Sequence, residues 1–261
     1  MAASRTALFM LLVGLWTIPF GLLVTIAIIL PMSSRYRIIA VWRKGFMALC
    51  SGLLGLRYRV LGRENLPATP AVVMAKHQSA WETVGLQDIL PPLVFVLKKE
   101  LLRVPFFGWG LAAMKMISID RAAAKDALKQ IFEQGKERLA AGYWVVIFPE
   151  GTRVEPGETA RYKPGGAHLA LRGGSLVVPV AHDAGEFWRK SVFAVSPGII
   201  TVSIGPPIDP TGKSAARINS LAAAWIEAEM RRISPHRYPA AADAMSARDS
   251  SELVARPTLV V

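Results

Sequence analysis

A histidine and a carboxylate five residues apart are the first candidates for catalysis in this sequence. His77 follows an apolar run, residues 71–74, that is typical of a buried strand, and Glu82 lies in the predicted first turn of the next helix. Because the pKa of histidine lies near neutrality, an imidazole held by a carboxylate can take a proton from a hydroxyl group at physiological pH. The spacing therefore predicts that His77 is a general base and that Glu82 orients it.

The same stretch also permits a structural interpretation of Glu82. Ser79 and Glu82 have the spacing of a capping box, in which a serine caps a helix and a glutamate three residues later accepts from the N–H of the cap. Helix capping is the simpler role for Ser79, since no nucleophile-elbow sequence surrounds it, and a role as a covalent nucleophile is the minor alternative. The sequence leaves open whether the Glu82 carboxylate faces the His77 ring or the Ser79 N–H.

Two further polar segments follow predicted strands and carry arginines. Asp120 and Arg121 come directly after one apolar run, and residues 149–153, which include Gly151 and Arg153, come directly after another. Two guanidinium groups, together with turn N–H groups around Gly151, would suit a phosphate or a carboxylate. A surface ion pair with a neighbouring aspartate is the competing interpretation of Arg121.

The acidic residue within the second of these segments has a different expected role. Glu150 lies among cations, so we expect it to orient Arg153 or Lys163 rather than to act as an acid. His182 also follows a predicted strand, which makes it the second candidate for the base after His77.

These residues must be positioned by a framework of short apolar runs that alternate with helical segments. Helices are predicted over residues 122–140 and 213–232, and the predicted strands are residues 58–61, 71–74, 93–97, 116–119, 144–148, 176–180 and 199–204. This alternation predicts an α/β domain with a mixed, largely parallel sheet flanked by helices. Ligands of such sheets bind beyond the carboxyl ends of the strands, so a single mouth would gather all the polar segments described above.

An uncharged apolar run, residues 7–30, precedes the α/β pattern. It is long enough to cross a hydrocarbon core of about 30 Å as a helix, and it is longer than the apolar core of a signal peptide. Pro19 leaves open a kinked or re-entrant helix. Only Arg5 precedes the run, whereas several basic residues follow it, which predicts that the rest of the chain faces the cytoplasm: Arg35, Arg37, Arg43 and Lys44.

Three regions follow from this organisation. Residues 1–56 are predicted to be membrane-anchoring helices, residues 57–236 the catalytic domain, and residues 237–261 a disordered tail rich in alanine and serine. The formal net charge of +12 favours an anionic membrane surface and anionic ligands over nucleic acid, because no nucleic-acid-reading motif is present. The single cysteine, Cys50, supports neither a disulfide framework nor a metal cluster.

The order and spacing of four motifs resemble those of the glycerolipid acyltransferase family, most closely its 1-acylglycerol-3-phosphate acyltransferases. The likeness covers residues 57–208, and its motifs are His77-x4-Glu82, Ile119-Asp120-Arg121, Phe148-Pro149-Glu150-Gly151-Thr152-Arg153 and Val177-Val178-Pro179-Val180. The family pattern is His-x4-Asp preceded by asparagine, so this chain departs from it with Glu82 at the acid position and Lys76 before the histidine.

The resemblance implies a glycerol-phosphate acyltransferase-like fold and a direct acyl transfer. His77 would take the proton from the sn-2 hydroxyl of lysophosphatidate, which would attack an acyl-thioester of coenzyme A or of acyl carrier protein, while Glu82 fixes the imidazole tautomer. No metal or redox cofactor is implied. The implied substrate-binding residues are Arg121, Glu150, Gly151, Thr152, Arg153 and Lys163.

Two alternatives to this activity remain open at the level of sequence. One is an acyltransferase for another acceptor, such as a lyso-ornithine lipid or glycerol 3-phosphate. The other is a non-catalytic lipid-binding membrane protein on the same scaffold, which the departures at Lys76 and Glu82 favour.

Overall fold

The computed structural model describes residues 2–120, 124–190 and 195–238. The helices in this part of the chain are α1 (Ala2–Ile26), α2 (Met32–Leu54), α3 (Glu82–Ile89), α4 (Phe107–Ala113), α5 (Ala124–Ala140), α6 (Gly165–Gly173), α7 (Ala184–Phe187) and α8 (Ala215–Ile233). The strands are β1 (Leu56–Leu61), β2 (Val72–Ala75), β3 (Leu93–Lys98), β4 (Ile117–Ile119), β5 (Trp144–Ile147), β6 (Val177–His182) and β7 (Gly198–Ile204). The predicted tail begins at residue 237; Tyr238 is buried, and the tail beyond Tyr238 lies outside the described residues.

One mixed sheet contains all seven of these strands, in the order β1-β7-β6-β2-β5-β3-β4. The five strands from β6 to β4 are mutually parallel. β7 pairs with β6 in the antiparallel direction and with β1 in the parallel direction. The prediction of a mixed, largely parallel sheet is therefore confirmed, and each of the seven predicted apolar runs forms a strand.

The central strands are buried on both faces. Every residue of β2, β5 and β6 is buried, as is typical of parallel strands that are covered by helices on both sides. α6 packs against β2, α8 against β6, and α5 against β4 and β5. Because β2 and β5 are adjacent and parallel, with Met74 opposite Ile147, the segments that follow them leave the sheet side by side. This adjacency positions the candidate site.

The two N-terminal helices form a pair that also contacts the α/β domain. α1 packs against α2 and α4, and a Cβ at Gly21 of α1 would lie 2.6 Å from the Phe106 carbonyl oxygen, so this close approach requires glycine. Trp16 on α1 donates to the Trp42 carbonyl on α2 at 3.1 Å. By length and composition, residues Ala3–Ile29 would cross a membrane, although one face of this helix lies against the protein.

Candidate active site

The main chain of His77 is held by the segment that follows β5. The carbonyl of His77 accepts from the Val154 N–H at 2.8 Å, and its own N–H donates to Oε1 of Glu150 at 3.3 Å. Both contacts exist because β2 and β5 end side by side at the same edge of the sheet. The strand-end rule thus brings His77 and residues 149–153 together as predicted.

The Glu82 carboxylate faces the imidazole of His77 and also binds the turn before α3. Oε1 of Glu82 accepts from Nδ1 of His77 at 2.8 Å, from the Ser79 N–H at 2.8 Å and from the Gln78 N–H at 3.0 Å. The two interpretations that the sequence left open are therefore not exclusive, because a single carboxylate oxygen serves both purposes.

These bonds fix the tautomer of the His77 ring. A carboxylate oxygen can only accept, so the proton lies on Nδ1 and the lone pair on Nε2 is available to a substrate hydroxyl. The ring also stacks on Phe148, with centroids 4.1 Å apart and planes inclined by 14°. The imidazole is thus aligned from two sides, and its side chain retains 15% of its exposure.

The Glu82 carboxyl remains ionised at neutral pH. Burial by itself would raise its pKa, but neighbouring His182 and the hydrogen bonds from His77 and Ser79 outweigh burial and hold the pKa below its ordinary value. An ionised carboxylate beside Nδ1 stabilises the imidazolium that forms when His77 takes a proton.

Ser79 is a structural residue in this geometry. Its side chain is fully buried, and Oγ accepts from the Trp81 N–H at 3.1 Å. Because a nucleophile must reach the substrate, this burial argues against a role for Ser79 as a covalent nucleophile.

His182, the second candidate for the base, is fully buried at the end of β6. Its Nε2–H donates to the Lys76 carbonyl at 2.7 Å, and burial lowers its pKa against the opposing influence of the Glu82 carboxylate. His182 therefore supports the main chain directly before His77 and cannot meet a substrate.

A cavity of about 480 Å³ opens beside His77. Its wall is mostly apolar and comes from α1, α2, β3 and the segment around α4, including Phe20, Trp42, Phe95, Leu97, Phe106, Leu111, Met114 and Met116. His77 and Phe148 lie in the same wall, with Arg153, Lys98 and Lys190 as its cations. A base, cations and a long apolar surface thus share one space.

The predicted anion-binding residues fall into three groups. Thr152 and Arg153 line the cavity, and the Arg153 guanidinium has no hydrogen-bond or ion-pair partner among the described residues. Gly151 has a φ of 73°, which glycine adopts without strain, and a Cβ there would lie 2.8 Å from Nζ of Lys163. Lys163 therefore lies against the loop at Gly151. It is not one of the residues that line the cavity. Arg121 lies outside the described residues.

The expected role of Glu150 needs correction. Its side chain does not pair with Arg153 or Lys163 and does not line the cavity; it is buried, with Oε1 3.6 Å from Nζ of Lys76 and within reach of the His77 N–H. Burial raises the pKa of Glu150 to about 7, against the lowering influence of Lys76. The sequence suggested surface cations as partners because it gave no sign that Lys76 is buried.

Two cations of the cavity were not predicted as site residues. Lys98 is the last residue of β3, so the strand-end rule that identified His77 could have identified it too. Lys190 lies in the loop after α7, and no local sequence signal marks it. Within the described residues, no group of three or more His, Cys, Asp or Glu side chains could hold a metal ion.

Comparison with known proteins supplies independent information. A family model described as "Acyltransferase" matches residues 57–183. The 1-acyl-sn-glycerol-3-phosphate acyltransferase of Pseudomonas aeruginosa is 46% identical over 238 residues, which cover 89% of this chain and 93% of that protein. The mouse protein 1-acyl-sn-glycerol-3-phosphate acyltransferase alpha is 31% identical over 65% of this chain and 61% of its own length.

A solved structure matches the fold. The 1-acyl-sn-glycerophosphate (LPA) acyltransferase PlsC from Thermotoga maritima superposes with a TM-score of 0.74, covering 88% of this chain and 94% of that one. At 22% sequence identity, this likeness establishes a shared architecture.

Proposed function

The chain belongs to the acyltransferase family, and we propose that it transfers an acyl group from an acyl-thioester to the sn-2 hydroxyl of lysophosphatidate. The products are phosphatidate and a free thiol. The observation that carries the proposal is that His77, which is held from behind by the buried Glu82, lines an apolar cavity that Arg153 also lines. The names of the relatives from Pseudomonas aeruginosa and mouse support the same acceptor.

The proposed reaction proceeds by direct attack. Nε2 of His77 takes the proton from the sn-2 hydroxyl as its oxygen attacks the thioester carbonyl, and Glu82 stabilises the resulting imidazolium. Collapse of the tetrahedral intermediate breaks the carbon–sulfur bond, and the imidazolium returns the proton to the departing thiolate. The mechanism needs no metal, redox cofactor or acyl-enzyme.

The cations of the cavity and its apolar wall would bind different parts of the substrates. Arg153, Lys98 and Lys190 would hold the phosphate of the acceptor, since guanidinium and ammonium groups bind phosphate strongly. The apolar wall would hold an acyl chain, which excludes water from the reacting thioester. Coenzyme A and acyl carrier protein both present a thioester on an anionic carrier, and both suit a chain with a net charge of +12.

The membrane would supply the acceptor. α1 contributes to the cavity through Thr17, Phe20 and Gly21, while its opposite face exposes large apolar side chains such as Leu11 and Leu15. Hydrocarbon could therefore pass from the bilayer into the cavity along this helix. We place the catalytic domain on the cytoplasmic side because basic residues follow the apolar run.

The direct test is an acceptor and donor panel with the purified, lipid-reconstituted protein. We expect thiol release and phosphatidate formation with lysophosphatidate and either acyl-CoA or acyl carrier protein thioesters. Turnover confined to a lyso-ornithine lipid or to glycerol 3-phosphate would contradict the acceptor assignment. Lack of turnover with every acceptor, from protein that is folded by circular dichroism, would contradict the function.

Arg153→Ala is expected to weaken the use of lysophosphatidate. Loss of a charged hydrogen bond of about 1.5 to 3 kcal/mol corresponds to a rise in KM of roughly 10- to 100-fold, with a smaller change in kcat. Initial rates at varied acceptor concentration measure this effect. Arg161→Ala is the matched control, because Arg161 is exposed and does not line this cavity. A KM that Arg153→Ala leaves unchanged would favour an acceptor without a phosphate.

Leu111→Trp is expected to shorten the acyl chain that the enzyme prefers. The indole would fill part of the apolar cavity, and each methylene excluded from it forfeits about 0.8 kcal/mol, or roughly fourfold in kcat/KM. A series of donors of increasing chain length measures the shift. Leu171→Trp on α6, where the leucine is exposed, serves as the control. An unchanged chain-length profile in Leu111→Trp would show that the acyl chain binds elsewhere.

A further inference from the structure

A buried network of charged side chains adjoins the main chain of His77. Lys76 is fully buried, and its Nζ lies 2.8 Å from Oε1 of Glu227 on α8 and 3.6 Å from Oε1 of Glu150. The same ammonium donates to the Glu158 carbonyl at 3.4 Å. We call Lys76, Glu150 and Glu227 the buried ion network.

The positive and negative charges of the buried ion network must compensate one another. Desolvation of one unpaired ion costs several kcal/mol, and here one ammonium is shared between two carboxylates. Tyr162 donates its hydroxyl hydrogen to Oε1 of Glu227 at 2.9 Å, and burial, together with Glu150 and Glu227, raises the pKa of Tyr162, so the phenol stays protonated. The network thereby ties α8 and the loop before α6 to the end of β2.

The network acts on His77 through the main chain. Oε1 of Glu150, the oxygen that faces Lys76, accepts from the His77 N–H, and the carbonyl of Lys76 accepts from His182. The single peptide group that joins Lys76 to His77 is thus held by buried partners at both its carbonyl and its N–H. A shift in the charge balance of the network would move or release the imidazole that faces the cavity.

We propose that Lys76 and Glu227 are positioning residues for the acyl transfer proposed above, and that they act on His77 through Glu150. Lys76 directly precedes the base, and a carboxylate that balances its charge comes from Glu227 on α8, 151 residues along the chain. The proposal rests on the assignment of His77 as the base, which it extends by explaining what holds that base.

The charge state of Glu150 gives the proposal a measurable signature. The groups that face this carboxyl are Lys76, the His77 N–H and ring, and Tyr162, and burial raises its pKa to about 7. The ionised carboxylate is the better acceptor for the His77 N–H, so protonation as the pH falls below 7 loosens the main chain. The acidic limb of the pH–rate profile should therefore depend on the charges around Glu150.

Two substitutions should move this limb in opposite directions. Lys76→Asn removes the cation that favours ionised Glu150, so the pKa of Glu150 and the acidic limb should rise by about one pH unit. Glu227→Gln leaves the Lys76 ammonium to Glu150 alone, so the limb should fall by a similar amount. At pH 7, kcat should fall about fivefold in Lys76→Asn, because a smaller fraction of Glu150 is then ionised. In Glu227→Gln it should rise by no more than about twofold, and the KM for the acceptor should change little in either variant.

The experiment is a pH profile of kcat with lysophosphatidate and acyl-CoA, for the parent and both variants, after thermal unfolding has confirmed that each is folded. Glu229→Gln is the matched control, because this carboxylate on the same helix binds Ser203 and Arg232 instead of the network. Its limb should coincide with that of the parent. Opposite shifts in Lys76→Asn and Glu227→Gln support the proposal. If the acidic limb of both variants coincides with that of the parent, with or without loss of kcat, the proposal is overturned.

If Lys76→Asn does not fold, the double variant Lys76→Asn/Glu227→Gln replaces it. This pair removes one charge of each sign, so its limb should return close to that of the parent, and a limb that stays with Glu227→Gln would overturn the proposal. If the parent uses another lyso-lipid, the profile is measured with that acceptor. Failure of the acceptor assignment is thereby distinguished from failure of the network.

Discussion

His77→Ala is expected to lose turnover by roughly 10²- to 10⁴-fold or more, with the fold preserved. General-base catalysis contributes about that much, and no other described histidine lines the cavity. The imidazole is partly exposed and its ring packs on Phe148, so its removal should cost no more than about 1 to 2 kcal/mol of stability. Thiol release at saturating substrate measures the turnover, and thermal unfolding by circular dichroism measures the stability.

His168→Ala is the control for this substitution. His168 lies on the exposed side of α6, so the variant should keep the turnover of the parent. Parent-like turnover in His77→Ala would dismiss His77 as the base. Inactivity of the folded parent with every acceptor would instead favour the non-catalytic lipid-binding alternative.

Glu82→Gln is expected to lower kcat by roughly 10³- to 10⁴-fold, because loss of the charge leaves the imidazolium of His77 without its counter-ion. The amide oxygen of glutamine can still accept from the N–H groups of Gln78 and Ser79, so the turn before α3 should persist. The acceptor KM should change little. Single-turnover rates, together with the unfolding temperature, separate the catalytic effect from any loss of fold.

Glu82→Asp distinguishes the charge of this residue from its reach. Aspartate keeps the charge but is one methylene shorter, so it can hold either the ring of His77 or the turn N–H groups better than both together. We expect kcat to lie between that of the parent and that of Glu82→Gln. Higher turnover in the glutamine variant than in the aspartate variant would mean that Glu82 serves the turn alone.

The fold was largely predictable because its signals are local. Most strands are short apolar runs bounded by turn residues, so all seven were predicted within a few residues of their ends. Helices α5 and α8 were predicted because each carries an apolar face of its own. The rule that ligands bind beyond the carboxyl ends of parallel strands then brought His77 and Arg153 to one mouth. It applied here because β2 and β5 are neighbours in the sheet.

The partners of buried polar groups were not predictable in this way. Glu150 has Arg153 and Lys163 close to it in the sequence, yet it faces Lys76, whose other partner, Glu227, lies 151 residues away. Proximity along the chain suggested Arg153 and Lys163 as the partners of Glu150 instead of Lys76. The cavity could not be predicted from the sequence either, because its wall combines side chains of α1, α2, β3 and α4 that share no sequence pattern.

The stretch of chain from Lys76 to Glu82 shows where the division lies. Residue types and spacing were enough to predict that a histidine and a carboxylate lie beyond the end of a buried strand, because both are properties of the chain. The folded structure was needed to show that one oxygen of Glu82 accepts from both the His77 ring and the turn N–H groups. It was also needed to show that a carboxylate on α8 pairs with Lys76. Buried charges must be paired, and their partners are the groups that packing brings within about 3 Å, however distant those groups are in the sequence.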